Sequence, residues 1–174
     1  MSGLLHIYCG DGKGKTTAAL GLSIRAAGSG MKVLFLQFLK GNDSSEVKIL
    51  NTIANITYLP CEKTFGFTWN MTEEEKKEVV QVCSDHLMLA INKATNEHYD
   101  LVVFDEIISA YQNNFINQDF FVDFLEHKPK TLEVVLTGRD PDQRLLQLAD
   151  YVSCIEKVKH PFDQGIPSRV GIEE

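Results

Sequence analysis

The residues with the densest chemical potential are Gly10-Asp11-Gly12-Lys13-Gly14-Lys15-Thr16-Thr17. Glycines let backbone N–H groups turn inward around phosphate oxygens, and the start of a following helix adds partial positive charge. In that setting Lys15 neutralises phosphate charge and the Thr16 hydroxyl ligates Mg²⁺. The spacing departs from the common phosphate loop at one point. The first glycine is expected five residues before the Gly-Lys pair, where Cys9 stands, and it comes one residue late, at Gly10. A tighter loop with an extra charge at Lys13 is the reading. A glycine-rich turn that only caps a helix is the structural alternative, and the strand-then-helix flanks favour phosphate.

A second constellation is Asp105-Glu106, closing the apolar stretch that begins at Tyr99. Carboxylates there would sit beside the first strand and hold Mg²⁺ or its waters. An acid after a strand also caps helices, so the pair gains its meaning from the phosphate loop. Arg139 follows Thr137-Gly138 at a strand's carboxyl end, where α/β sheets bind ligands.

These groups need elements to position them. Residues 4–9 read as a buried strand and 18–27 as a helix. Residues 32–38 are apolar on both faces, as in parallel sheets covered by helices. A short helix from Ser45, a weaker strand over 55–59, and a long helix from a Thr72/Glu75 capping box to about Glu97 follow. That helix aligns Val79, Val82, Cys83, His86, Leu87, Ala90 and Ile91 on one face, His86 as a face residue rather than a ligand. Residues 107–127 read as two helical pieces broken near Asn113-Asn114; 131–136 is a strand, 141–148 a short helix and 151–158 the last strand. Alternating strands and helices imply one domain, α/β, with a twisted, mostly parallel sheet flanked by helices.

The formal net charge of −7 argues against a nucleic-acid partner held by clustered Lys and Arg. Cys9, Cys61, Cys83 and Cys154 form no C-x-x-C pair, and three of them lie in apolar surroundings, as small core residues do. No signal peptide or membrane span is expected, and a reducing cytoplasm is the simplest compartment. Residues 60–70 lack any period and hold Phe65, Phe67 and Trp69. These aromatics either plug the core or form a platform for a flat ligand.

Taken together, the motifs resemble one family, the P-loop type of ATP:cob(I)alamin (corrinoid) adenosyltransferase. The resemblance spans nearly the whole chain. It rests on the 10–19 loop, Arg25-Ala26-Ala27-Gly28, Gln37-Phe38-Leu39-Lys40-Gly41, Gly66-Phe67-Thr68-Trp69, the 100–106 strand, Thr137-Gly138-Arg139 and the tail from Lys159-His160-Pro161 to Ile166. Asp11 stands where the family usually has asparagine. The resemblance implies a single-domain P-loop (RecA-like) fold and an unusual reaction, in which reduced corrinoid cobalt attacks C5′ of ATP and inorganic triphosphate leaves. It also implies roles: Gly10, Asp11, Gly12, Lys13, Gly14, Lys15, Thr16 and Thr17 cradle the triphosphate, and Lys13 and Lys15 stabilise its growing charge. Thr16 and Glu106 hold Mg²⁺, with Asp105 as a further candidate, and either acid could be the direct ligand. Arg25, Arg139 and Arg169 are candidate nucleotide contacts, Phe67 and Trp69 press on the corrin, and Lys159 and His160 either order the tail near the site or hold salt bridges at the surface. A homodimer and an electron-donating reductase or flavoprotein come with the same resemblance. The competing readings are a P-loop phosphotransferase or ATPase, which needs a substrate-activating group not evident here, and a non-catalytic nucleotide-binding module.

Overall fold

A computed structural model describes residues 2–40, 44–61, 63 and 72–173. Phe67 and Trp69, with most of the aromatic stretch, lie outside the described residues. The strands are β1 (Leu5–Cys9), β2 (Val33–Gln37), β3 (Ile56–Leu59), β4 (Leu101–Asp105), β5 (Glu133–Thr137) and β6 (Tyr151–Cys154). They form one six-stranded sheet in the order β3-β2-β4-β5-β1-β6, and every pairing is parallel. The helices are α1 (Lys15–Gly28), α2 (Ser45–Leu50), α3 (Glu73–Asn96), α4 (Ile107–Gln112), α5 (Gln118–His127) and α6 (Gln143–Leu148).

β2 and β4 are buried along their whole length, and their apolar residues face both ways because both faces of the sheet are covered. Val33 and Phe35 of β2 pack with Ala19, Ala26 and Ala27 of α1 and with Val47 and Leu50 of α2. Leu34 and Leu36 point the other way, into a larger cluster with Val79, Cys83, Leu87 and Ala90 of α3 and with Phe121 and Phe124 of α5. The Thr72/Glu75 capping box is present: Thr72 Oγ1 accepts from Glu75 N at 3.2 Å, and Thr72 N donates to Glu75 Oε2 at 2.7 Å. The buried face of α3 follows the expected spacing, except that Val82 and Ile91 are half-buried and Ala94 completes the stripe.

Three expectations change. The acid strand β4 is not beside β1, because β5 pairs with both and lies between them. Helix α1 begins at Lys15, so the end of the loop is already its first turn. The last strand stops at Cys154 rather than at residue 158, since Ile155 turns aside to bond the glycine loop. This strand is exposed along its whole length and forms one edge of the sheet. Cys9, Cys61 and Cys83 are buried free thiols and Cys154 is exposed. Among the described residues, no helix is long and apolar enough to cross a membrane.

Candidate nucleotide site

The glycine loop leaves β1 at Cys9 and enters α1 at Gly14, with positive φ at Gly10 (104°) and Gly14 (127°). The segment after β6 straps its outer side. Ile155 N donates to Cys9 O at 2.8 Å, and Gly12 N donates to Ile155 O at 2.8 Å. A Cβ on Gly12 would stand 2.7 Å from both Ile155 O and Glu156 O, so glycine there is a packing requirement. Asp11 Oδ1 accepts from Lys157 N at 3.0 Å. Its carboxylate thus serves the strap, a role that asparagine's oxygen would fill equally well.

Helix α1 has no side-chain cap and no acid in its first turn, so its N-terminal dipole is not neutralised locally. In front of it lies a cavity of about 500 Å³ lined by Lys13, Gly14, Lys15, Thr16, Thr17, Glu106, Arg139, Ile172 and Glu173. Lys15 Nζ donates to Gly12 O at 2.9 Å. Burial lowers the pKa of Lys15, reinforced by Arg139 and Lys40 and opposed by Glu106 and Asp11. Three cations around a helix N-terminus make a receptor for a polyanion.

The acid side is built from three strands. Asp105, fully buried at the end of β4, accepts Thr137 Oγ1 at 2.6 Å and Thr16 Oγ1 at 3.0 Å on Oδ1. Its Oδ2 accepts Lys40 Nζ at 2.8 Å and Gln37 Nε2 at 3.2 Å. Glu106 has left-handed backbone (φ 61°); its N–H donates to Thr137 Oγ1 at 2.8 Å and its carboxylate accepts Ser109 Oγ at 2.6 Å. Gly138 matters for a different reason: a Cβ there would lie 2.6 Å from Ile108 Cβ. Its absence lets the start of α4 press against the β5 turn that presents Arg139 to the cavity.

The structure therefore brings Lys13, Lys15, Thr16, Thr17, Glu106 and Arg139 to one cavity, with Asp105 bonded to Thr16 behind them. It does not bring Arg25 there. Arg25 lies in the last turn of α1, ten residues and about 15 Å of helix rise from Lys15. Arg169 is turned to Glu173, with Nη2 to Oε1 at 2.8 Å, and Glu173 rather than Arg169 lines the cavity. That pairing holds the Glu173 carboxyl down to about 2. His160 Nδ1 accepts from Phe162 N at 3.2 Å and caps a 3₁₀ turn over Pro161–Gln164, and Lys157 is the lysine that pairs with Asp163, at 3.0 Å. Lys40, Gln37 and Thr137 join the site without having been assigned a part in it from sequence; the available signal is that all three stand at or just beyond a strand's carboxyl end, in Gln37-Phe38-Leu39-Lys40-Gly41 and Thr137-Gly138-Arg139.

A parallel sheet with a strapped glycine loop after β1 and a buried acid at the end of β4 is the architecture of a P-loop α/β fold. Comparison with known proteins makes this more specific. The family model described as ATP:corrinoid adenosyltransferase BtuR/CobO/CobP matches residues 1–173, and the chain belongs to this family. It is 32% identical over 171 residues to the corrinoid adenosyltransferase of Escherichia coli K12, covering 98% of this chain and 85% of that protein. Against the Pseudomonas aeruginosa corrinoid adenosyltransferase the identity is 31% over 176 residues, covering 98% and 83%. Corrinoid adenosyltransferase CobA of Salmonella typhimurium is 30% identical over 171 residues, covering 98% and 85%. Among solved structures, EssC (ATPases 2 and 3) from Geobacillus thermodenitrificans aligns over 98% of this chain and 36% of its own, at 12% identity and TM-score 0.48. That likeness is too slight to bear on function.

Proposed function

We propose that the chain transfers the 5′-deoxyadenosyl group of ATP to the reduced cobalt of a corrinoid, releasing triphosphate. The observation that carries this is the cavity at the start of α1, ringed by Lys13, Lys15 and Arg139. In this reaction the C5′–O bond breaks and its electron pair goes to a triphosphate oxygen. The cobalt supplies the electron pair for the new bond, so no side chain has to act as general base. The protein's task is placement of the two substrates and stabilisation of negative charge on the leaving group. Clustered cations against backbone N–H groups suit that task.

The donor set also fits a magnesium ion, which typically takes one or two carboxylates and completes its shell with water and phosphate. Thr16 Oγ1 lies 3.0 Å from Asp105 Oδ1, and the Lys40 ammonium bridges Thr16 Oγ1 and Asp105 Oδ2 at 2.8 Å each. Thr16 and Asp105 would hold Mg²⁺, with Glu106 facing the same cavity; bound there, the ion would neutralise phosphate charge. Gly10 to Thr17 would wrap the triphosphate, and Phe67 and Trp69 would face the corrin. Arg169 would act through Glu173 rather than by direct contact. A homodimer, a reductase or flavoprotein as electron donor, and a cytoplasmic setting complete the reading; buried free thiols support a reducing compartment.

The test is to mix the protein with MgATP and chemically reduced cob(I)alamin in the dark and follow the corrinoid spectrum. A light-sensitive adenosyl–cobalt species, absent without protein, is the expected product. Conversion of ATP to ADP with the corrinoid unchanged would favour an ATPase instead.

A further inference from the structure

We infer that Lys40 is a built-in counter-cation of the metal site, holding the oxygens a divalent ion would take, so that metal enters only as Lys40 leaves. The inference rests on the reading of Thr16 and Asp105 as metal ligands. Lys40 Nζ lies 2.8 Å from Thr16 Oγ1 and 2.8 Å from Asp105 Oδ2. The Asp105 carboxylate is wholly buried, and its other described donors, Thr137, Thr16 and Gln37, are neutral. Lys40 is therefore the group that balances its charge, as a buried carboxylate requires.

A metal bound to Thr16 Oγ1 and an Asp105 oxygen would sit against that ammonium, and two cations cannot share so small a space without strong repulsion. Lys40 can yield. Its side chain is 29% exposed while Asp105 is 0% exposed, so the lysine has a route to solvent that the carboxylate lacks. It stands beyond the end of β2, outside any helix or strand, and its ammonium is a point charge on a flexible stem. Exchanging one positive charge for two leaves a surplus, which a triphosphate in the adjoining cavity would balance. Metal binding thereby becomes dependent on the nucleotide: the empty-handed site keeps its own cation, and the metal arrives with phosphate.

The test is Mn²⁺ titration of the nucleotide-free full chain, with free Mn²⁺ read by electron paramagnetic resonance. K40M should bind at least tenfold more tightly than wild type, and K40R, which keeps the cation, should not gain affinity. K40M/D105N should lose the gain. Mn²⁺ should also raise the melting temperature of K40M while leaving wild type nearly unmoved, because only the former binds the ion. Should K40M fail to fold, K40Q, which retains a neutral donor toward Asp105, carries the same titration. Equal affinities in wild type and the uncharged variant, including none measurable in either, would overturn the role of Lys40. Tight Mn²⁺ binding that survives in K40M/D105N would instead overturn the assignment of Asp105 as a ligand.

Discussion

The carbonyl oxygen of Ile155 lies 2.3 Å from the point where a Cβ on Gly10 would stand. The glycine of this loop is thus fixed from two sides, by a backbone at φ 104° and by the Ile155 carbonyl, itself held by Gly12 N at 2.8 Å. This explains why a glycine at Gly10 serves the loop although Cys9 holds the usual first position. Cys9 is still in strand register, paired with Cys154. Gly10→Ala should therefore lower stability by about 2 kcal/mol or more and weaken ATP binding. Denaturant unfolding and ATP titration check this; a variant with unchanged midpoint and affinity would remove the strap from the account.

Asp105 and Glu106 should differ as metal residues. Asp105 touches Thr16, whereas the Glu106 carboxylate is engaged by Ser109 at 2.6 Å. Asp105→Asn should raise the Mg²⁺ needed for half-maximal activity on the order of tenfold to a hundredfold, and Glu106→Gln by less. Magnesium titrations of both variants decide the order. The reverse ranking would make Glu106 the principal ligand.

Trp69→Ala separates the two readings of the aromatic stretch. A corrin platform predicts near-normal melting and ATP affinity, with selective loss of the reaction that starts from Co(II) corrinoid. Chemically prepared Co(I) should then restore much of the rate. A core plug predicts a stability loss of about 3–5 kcal/mol and parallel loss of both reactions. Melting curves and both rates on one variant distinguish them.

His86 makes stability depend on pH. Its ring is buried with Nε2 unpartnered among the described residues, and burial holds its pKa down to about 4 from 6.5, opposed by a backbone hydrogen bond with Gln37. The unfolded chain therefore takes up the proton first as pH falls. Stability is complete above about pH 6.5 and declines towards pH 4, by about 3 kcal/mol at 1.36 kcal/mol per pH unit. Urea unfolding of wild type and His86→Asn at about pH 7 and pH 4.5 measures it. Equal pH dependence in the two proteins would contradict the assignment.

Much of this architecture was legible because it is local. The loop, the apolar run into Asp105, the Thr72 cap and the break near Asn113 are set by neighbours in sequence, and each stands where the pattern placed it. What was not legible depends on strand order. Nothing in the pattern of β4 says that β5 will lie between it and β1, and so the arrival of Lys40 and Thr137 at the Thr16–Asp105 pair could not be read. The end of the last strand was hidden for a related reason: residues 155–157 look like strand, but Ile155 O accepts from Gly12 N and Lys157 N donates to Asp11. Arg25 lay in a quoted motif, yet the helix that carries it runs away from the cavity.

If the loop binds triphosphate as a leaving group, ³¹P nuclear magnetic resonance of the products formed from MgATP and cob(I)alamin will show it. Inorganic tripolyphosphate should form in equal amount to the adenosylated corrinoid, and at least a hundredfold more slowly with Lys15→Ala, which lacks one stabilising charge. ADP with orthophosphate, formed at a rate indifferent to the corrinoid, would contradict it.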